Sequence, residues 1–352
     1  MPSSADPIEI RWCEVKLRVL TNSELAVRRR CPREHYHAYE LGYRPIEDVE
    51  SLRFGSLMHL GLEAWWLGKG LEAAIGAAVV RAIDAYEAAK ARVLLRGYDA
   101  RWSDERHNVV AVEQEFRAPL VNPRTGAASR TFVLGGKMDV LLRTAFVEHK
   151  VTSEEIGPGS TYWRRLTLDP QISTYYAGAK ALGHEVDHCL YDVIRKPALR
   201  PSQVPLTDDD GVKIVLDLDG NRVRTKDGKK WRQTGDVELG YVLQTRPETP
   251  EEYEARLTEE VAANPDRYFQ RGQVVRLESE EREAQLDAWQ LSRAIRDGQI
   301  ASAWPRNPDA CLRYGRTCPY LDVCTGVASL DDERRFTRVE HVHQELSTET
   351  AA

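Results

Sequence analysis

The stretch TFVLGGKMDVLLRTAFVEHKVT, residues 131–152, decides how the chain is interpreted. Apolar residues dominate both halves, and a short break near Thr144 separates them, so the stretch predicts two strands joined by a turn. Side chains two positions apart on a strand point to the same face of the sheet. Glu148 and Lys150 therefore share a face, and Asp139 joins them if it faces that side too.

Two carboxylates and an ammonium group in one place suit the hydrolysis of a phosphodiester. Carboxylate oxygens are the ligands that Mg²⁺ and Mn²⁺ prefer. Such a metal ion generates hydroxide near neutral pH and stabilises the charge that develops on the phosphate. The alternative is a surface ion pair on an edge strand, because an acid–x–Lys pattern occurs by chance in charged proteins. The apolar residues flanking Lys150, which are Val147 and Val151, favour the interior of a sheet.

Secondary-structure signals on both sides of this stretch predict an α/β protein with a central mixed β-sheet flanked by helices. Good helix caps at Thr21, Asn22 and Ser23 predict a first helix that runs toward residue 39. Further helices are predicted over 51–67, 71–95, 170–182, 250–263 and 278–296. Strands are predicted over 109–120 and 184–196, with another possible strand in the lead-in before residue 20.

Residues 200–245 differ from the rest of the chain. Turn signals at Asp210-Gly211, Asp219-Gly220 and Asp227-Gly228 predict a β-hairpin insertion into the main domain. Residues 222–232 contain six basic residues, one acid and a tryptophan. This segment could follow phosphates and stack on a base, and a merely solvated hairpin fits it equally well.

The overall composition excludes some classes of protein. A net charge of −6 over 352 residues rules out a uniformly basic nucleic-acid coat but allows a local basic groove. No apolar run is long enough to span a bilayer, and the N-terminus lacks a signal peptide, so we expect a cytoplasmic protein without membrane contact. No phosphate-binding G-x-x-x-x-G-K-[ST] loop occurs, so any unwinding of DNA would need a partner.

Six cysteines in a protein of a reducing compartment do not indicate structural disulfides. Cys311, Cys318 and Cys324 form a compact group near the C-terminus. Their gaps are longer than the roughly two to four residues between the paired ligands of structural zinc sites. A fourth thiolate would have to come from elsewhere, and from spacing alone zinc and simple burial stay open. Cys189 lies in a predicted strand and is expected in the core, while Cys13 receives no role.

In collinear order, these motifs resemble the PD-(D/E)xK nuclease superfamily. The resemblance is to the branch of the RecB and AddB recombination nucleases, the iron–sulfur nuclease of CRISPR adaptation and related phage exonucleases. It covers residues 23–324 and includes two further motifs, FGSLMH at 54–59 and QISTY at 171–175. It implies a restriction-endonuclease-like core with a β-hairpin insertion and a C-terminal iron–sulfur segment.

The resemblance also implies the residues of the active site. Helical spacing is compatible with it, because side chains four positions apart share a helix face. Taken singly, each helical residue could instead be structural. The metal ligands would be His59, Asp139, Glu148 and the backbone carbonyl of His149, with Lys150 as the catalytic lysine and with Gln171 and Tyr175 shaping the site or positioning DNA.

By the same resemblance, Cys31 joins Cys311, Cys318 and Cys324 as ligands of a [4Fe–4S] cluster, with Zn²⁺ as the alternative. Such a cluster would staple the two ends of the chain across the nuclease core. The expected organisation is an N-terminal helical segment with one cluster cysteine (1–50), the nuclease core (51–199), the hairpin insertion (200–245), C-terminal helices with the cysteine segment (246–328) and a polar, mobile tail (329–352).

The expected function is that of a divalent-metal-dependent DNA nuclease, an exonuclease in recombination, repair or end processing. Its partners would be DNA ends or single strands, together with a helicase, recombinase or integrase. Two alternatives stay open. One is a CRISPR-type end-trimming factor that acts with an integrase, and the other is a non-catalytic DNA-binding subunit of a nuclease complex.

Overall fold

Strands β1 to β14 and helices α1 to α11 form the regular structure of the computed structural model, which describes residues 17–46, 50–105, 108–313 and 315–346. The strands are β1 (Arg18–Thr21), β2 (Tyr43–Pro45), β3 (Val109–Val121), β4 (Ala128–Leu142), β5 (Ala145–Thr152), β6 (His188–Arg195), β7 (Gln203–Pro205), β8 (Val215–Leu216), β9 (Val242–Leu243), β10 (Thr245–Pro247), β11 (Phe269–Val274), β12 (Leu312–Arg313), β13 (Arg316–Thr317) and β14 (Phe336–Arg338). The helices are α1 (Asn22–Arg30), α2 (Pro32–His35), α3 (Glu50–Trp66), α4 (Leu71–Val79), α5 (Ala85–Trp102), α6 (Thr161–Arg165), α7 (Pro170–Ala181), α8 (Pro250–Ala263), α9 (Pro265–Tyr268), α10 (Glu278–Ala301) and α11 (Leu321–Thr325).

A mixed six-stranded sheet forms the centre of the molecule, as the sequence predicts. Its strand order is β1-β4-β5-β6-β11, and β3 also pairs with β4. Strand β4 pairs in parallel with β1 and antiparallel with β3 and β5. Strand β6 continues the sheet, parallel to β5 and antiparallel to β11.

The sheet divides along one edge of β4. Strand β1 pairs with residues 132–135 of β4, whereas β5 pairs with Val140 and Leu141 only. Strand β3 runs along the opposite edge of β4 past both of these partners. Among the described residues, 136–139 therefore have no strand partner on the side of β1 and β5, and a gap opens there between the two strands.

Two apolar cores cover the two faces of this sheet. Helices α3, α4, α5 and α8 pack on one face, where Val147 and Ile194 meet Trp65 and Tyr98. Helices α1, α7 and α10 cover the other face, where Phe146 and neighbouring side chains contact residues of α7. The alternation of Phe146 and Val147 between the two cores is the period of two that predicts a strand. Among the described residues, no helix is both long and apolar enough to cross a membrane.

Two of the predicted helices are interrupted. The first ends at Arg30 rather than near residue 39, because Pro32 starts the short helix α2 and a π-helical turn (Tyr36–Glu40) follows. The helix predicted over 71–95 is two helices, and Asp84 caps the second by accepting a hydrogen bond from the Glu87 amide at 2.7 Å. Most of the lead-in strand predicted before residue 20 lies outside the described residues, and β1 is its described part.

Residues 203–247, which overlap the hairpin insertion predicted over 200–245, form a β arm. Strands β7 and β10 pair at its base, and β8 pairs with β9 farther out. Gly211, Gly220 and Gly228 have positive φ angles between 67° and 83°, which glycine adopts without steric cost. The three Asp-Gly pairs therefore lie at turns, as their sequence predicts.

The prediction of a mobile tail after residue 328 is wrong for residues 329–346. Strand β14 pairs antiparallel with β2, and Phe336 is buried against Tyr320 with ring centroids 5.5 Å apart. Farther along, His343 lies 3.2 Å from a carboxylate oxygen of the buried Glu24. The tail is polar in composition, but one aromatic anchor and one ion pair are enough to fix it.

Two helical glycines allow a test of how closely α7 packs on the sheet. A Cβ atom at Gly178 would lie 2.5 Å from the Phe116 ring, whereas one at Gly76 in α4 would meet nothing within 4 Å. We expect Gly178→Ala to lower the free energy of unfolding by about 1–3 kcal/mol through overpacking. Gly76→Ala should raise it by about 0.5–1 kcal/mol, because alanine favours the helix. Urea unfolding measures both, and equal effects would contradict this packing.

Candidate active site

A cleft of about 1330 Å³ opens at the gap between β1 and β5. Its walls come from β4 and β5, from α1, α3 and α7, and from the tail after β14. Six side chains that the sequence singled out line it, namely His59, Asp139, Glu148, Lys150, Gln171 and Tyr175. The residues of the two-strand pattern and of the two helical motifs thus line the same cleft.

Asp139 lies between a helix and a backbone amide. Its Oδ1 is 3.5 Å from Nδ1 of His59 on α3, and its Oδ2 accepts a hydrogen bond from the His149 backbone N–H at 2.7 Å. Burial alone would raise the pKa of Asp139, but attraction to His59 and these hydrogen bonds lower it below its ordinary value. Asp139 is therefore ionised at neutral pH and raises the pKa of His59 in return.

Glu148 and Lys150 form an ion pair on the same face of β5. Burial, together with the nearby charge of Asp139, raises the pKa of Glu148 to about 7 against the opposing effect of Lys150. The pKa of Lys150 is also raised, because Glu148 outweighs its loss of hydration. Glu148 is only 2% exposed, and its Oε2 has no hydrogen-bond partner among the described residues. A buried carboxylate oxygen in this state fits a metal ligand.

Helix α7 brings two polar side chains to the lysine. Asp169 caps the helix by accepting a hydrogen bond from the Gln171 amide. The Gln171 side chain accepts a bond from Lys150 Nζ at 3.0 Å and donates one to the Tyr175 hydroxyl at 2.8 Å. The Tyr175 hydroxyl donates in turn to the carbonyl of Lys137 at 2.7 Å. The chain of bonds fixes the position of Lys150 relative to β4.

Sequence reasoning missed a buried network behind β5. Nδ1 of His149 lies 3.2 Å from Oδ2 of Asp192 on β6. The same oxygen accepts hydrogen bonds from Tyr98 at 2.5 Å and from Arg271 at 3.2 Å. Asp192 is fully buried, so it holds the strand segment that carries Glu148 and Lys150. The one available signal was a single acid within the apolar strand CLYDVI, residues 189–194.

Acidic side chains border the cleft beyond the predicted ones. Glu63, one turn after His59, and Glu113 on β3 both line it. Glu113 forms an ion pair with Lys137, and its φ of 55° is unusual for a residue other than glycine. Burial raises the pKa of Glu113. Five carboxylates therefore line the cleft, beside the basic side chains of Arg53, Arg81, Lys137 and Lys150, and the carboxylates around Asp139 suit a divalent cation.

The tail also reaches the cleft. Gln344 and Glu345 line it beside the start of α1. His343 anchors them, because its Nε2 lies 3.2 Å from the Val19 carbonyl and from the Glu24 carboxylate. The expectation of a mobile tail is the reason that this wall of the site was missed.

Four cysteines from the two ends of the chain surround a second cavity, of about 260 Å³. They are Cys31, Cys311, Cys318 and Cys324. Among the described residues, no three of their sulfur atoms lie within 4.8 Å of one another. Cys189 lies in the core as expected, and Cys13 lies outside the described residues.

The α/β sheet and the acidic, lysine-containing cleft define a metal-dependent nuclease that hydrolyses phosphodiester bonds. The chain belongs to the PD-(D/E)XK nuclease superfamily, whose model matches residues 19–325. Enzymes of this superfamily use divalent metal ions such as Mg²⁺ or Mn²⁺. A search of curated proteins finds no match to the chain.

Metal binding should depend on pH through Glu148. Its pKa is raised to about 7, so below pH 7 a metal ion must displace a proton. The shift also means that the metal-free fold loses stability as pH rises from the ordinary carboxyl pKa to about 7, where the buried group ionises. We expect Mn²⁺ to bind about thirtyfold more tightly at about pH 8 than at about pH 5.5, measured by calorimetry. Glu148→Gln should reduce this difference to the part contributed by His59, whose own pKa is raised and which must also lose its proton to bind metal, and equal affinity of the unmodified protein at both pH values would contradict the prediction.

Proposed function

We propose that this protein is a divalent-metal-dependent deoxyribonuclease that works as an exonuclease on DNA ends. The observation that carries the proposal is the buried Oε2 of Glu148, which has no hydrogen-bond partner among the residues that the structure describes, in a cleft shared with Asp139 and Lys150. A carboxylate loses hydration when it is buried and needs a cation or hydrogen bonds in return. Lys150 engages the other oxygen, so Oε2 is available to a metal ion.

In this proposal His59, Asp139, Glu148 and the carbonyl of His149 hold Mg²⁺ or Mn²⁺. The ion, when bound, supplies a hydroxide nucleophile and neutralises charge on the phosphate. Lys150 places its ammonium group next to the reacting phosphate and orients the attacking water. Gln171 and Tyr175 keep that ammonium group in position through the hydrogen bonds that link it to β4.

The exonuclease mode is supported by the walls of the cleft. Helix α3 borders it on one side, and α1 with Gln344 and Glu345 borders it on the other. A DNA end or a single strand enters such a walled cleft more readily than the middle of a duplex. Action in the cytoplasm, in recombination, repair or end processing with a helicase or recombinase partner, follows from the resemblance to the recombination nucleases. The intact Asp139, Glu148 and Lys150 favour this catalytic role over that of a DNA-binding subunit.

Substitution of the two β5 residues tests the proposal. Glu148→Gln and Lys150→Ala should each reduce Mn²⁺-dependent release of nucleotides from end-labelled DNA by at least about a thousandfold, because several kcal/mol of charge stabilisation are lost. Glu154→Gln and Lys180→Ala are matched controls on exposed sites and should retain activity. Circular dichroism would show that all four variants fold, and full activity in both β5 variants would refute the proposal.

We also infer that the four cysteines hold a [4Fe–4S] cluster. The convergence of four cysteines from both ends of the chain on one cavity of about 260 Å³ supports a group bound by several thiolates. Arg30 and Arg33 flank Cys31, and cationic side chains there help to balance the charge of thiolates. The cluster would join the first helices to the C-terminal segment and take no part in the cleavage chemistry.

The absorption spectrum of anaerobically purified protein tests the cluster. We expect a broad visible shoulder and about four iron atoms per chain. Cys318→Ala should abolish the shoulder, because it removes a ligand. Cys189→Ala is the matched control, since Cys189 lies in the core away from the cavity, and it should keep the shoulder. A colourless protein that contains zinc would overturn the assignment.

A further inference from the structure

We propose that the basic hairpin of the β arm, residues 222–232, binds the phosphate backbone of the DNA strand that leads into the catalytic cleft. The inference rests on the proposed function in one respect, because it names where that substrate is held outside the cleft. The arm is otherwise independent of the catalytic residues, as it contains none of them.

The charges of the arm are segregated. The basic hairpin has six basic residues and one acid, whereas the other residues of 203–247 have two basic residues and seven acids. The arm as a whole is therefore neutral but strongly polarised. A solvated hairpin needs no such separation, whereas a surface that attracts phosphates requires a local excess of positive charge.

The lysines of the basic hairpin are its accessible cations. Lys226, Lys229 and Lys230 surround the turn at Gly228 and are exposed. In the part of the chain that the structure describes, none of the three forms an ion pair. By contrast, Arg222 pairs with Asp208 at 2.6 Å. Three lysines at one turn can therefore contact phosphates without first breaking an internal bond.

Trp231 has a structural role in the hairpin. The guanidinium carbons of Arg222 and Arg224 lie 4.6 Å and 4.0 Å from the centre of its ring. Two cations on one ring leave it poorly available to a nucleobase. The possibility that it stacks on a base is therefore less favoured than recognition of the backbone, which does not depend on sequence.

The arm starts at the catalytic end of the sheet. Strand β6 pairs with β5 so that Val193 lies opposite Lys150 and Arg195 lies opposite Thr152. The next residue, Lys196, donates its backbone N–H to the Thr152 carbonyl at 2.7 Å. The chain thus leaves the sheet within a few residues of the catalytic lysine, and it enters the arm at residue 203.

The base of the arm is fixed rather than hinged. Glu248, which directly follows β10, is only 3% exposed. Its carboxylate accepts a hydrogen bond from the Ser202 amide at 2.9 Å and pairs with Arg256 of α8 at 2.6 Å. Both ends of the arm are therefore tied to the body of the protein, and the arm can hold a strand at a set distance from the cleft.

Salt dependence of DNA binding tests the proposal. The test variant carries Lys226→Gln, Lys229→Gln and Lys230→Gln together with Glu148→Gln, which prevents cleavage. Its binding to a fluorescein-labelled single-stranded 30-mer is measured by anisotropy over a range of KCl concentrations. The slope of log K against log[KCl] should become shallower by about 2, because each lost phosphate contact removes about 0.7 from it.

A matched variant controls for net charge. It carries Lys69→Gln, Lys180→Gln and Lys213→Gln in the same Glu148→Gln background, and these lysines are exposed and lie outside the basic hairpin. We expect its slope to equal that of the protein with Glu148→Gln alone. An unchanged slope in the hairpin variant, or an equal fall in both variants, would overturn the proposal.

The outcome separates this inference from the proposed function. Cleavage of end-labelled DNA by the unmodified protein is measured alongside. If no metal-dependent cleavage occurs but only the hairpin variant loses salt-dependent binding, the nuclease proposal fails and the hairpin stands as a DNA-binding surface. If cleavage occurs and the hairpin variant binds DNA with an unchanged salt dependence, the nuclease proposal stands and the hairpin proposal fails.

Discussion

The gap in the pairing of β4 is the constraint on which the rest of the site depends. In the part of the chain that the structure describes, residues 136–139 lack a strand partner on one edge because β1 and β5 pair with different parts of β4. Unpaired backbone groups inside a protein cost free energy unless another partner is found. Tyr175 supplies one by donating to the Lys137 carbonyl, and Asp139 supplies another by accepting the His149 N–H. Tyr175 and Asp139, which provide these hydrogen bonds, thus also line the cleft.

Two glycines of β4, Gly135 and Gly136, allow neighbouring side chains to pack closely against the strand beside the gap. A Cβ atom at Gly135 would lie 2.4 Å from Val19 of β1, and one at Gly136 would lie 2.7 Å from the Phe116 ring. Any larger residue at these positions would have to displace the Val19 side chain of β1 or the Phe116 ring of β3.

Ionisable side chains of the site are buried, and there the loss of hydration makes their charged forms cost free energy. Glu148 keeps its proton more tightly than an ordinary carboxyl group, while Asp139 gives its proton up more easily. The difference arises from their neighbours, because Asp139 has His59 and a backbone amide, whereas one oxygen of Glu148 has no hydrogen-bond partner within the described ranges. A divalent cation would relieve the charge of both carboxylates, so binding of metal and stability of the fold are linked.

Local patterns made much of this fold predictable. Strand β5 and helix α8 have the predicted bounds, because alternation and capping signals act over a few neighbouring residues. Asp139, Glu148 and Lys150 could be placed near one another for the same reason. Asp192, Tyr98 and Arg271 could not be predicted, since they come from three distant elements and meet only through the tertiary fold. The tail was missed because a polar composition conceals a single buried Phe336.

The cleft is completed by residues far apart along the chain. Helix α1 and Lys150 are synthesised early, whereas Cys311, Cys324 and Glu345 follow much later. At typical rates of translation, roughly 10 to 35 s separate the synthesis of Lys150 from that of Cys324. During that interval a nascent chain already carries Asp139 and Glu148, but it lacks both the wall made by the tail and three of the four cysteines that line the second cavity. The complete cleft can therefore form only after residues 344 and 345 have emerged from the ribosome, long after the strands of the sheet have been synthesised.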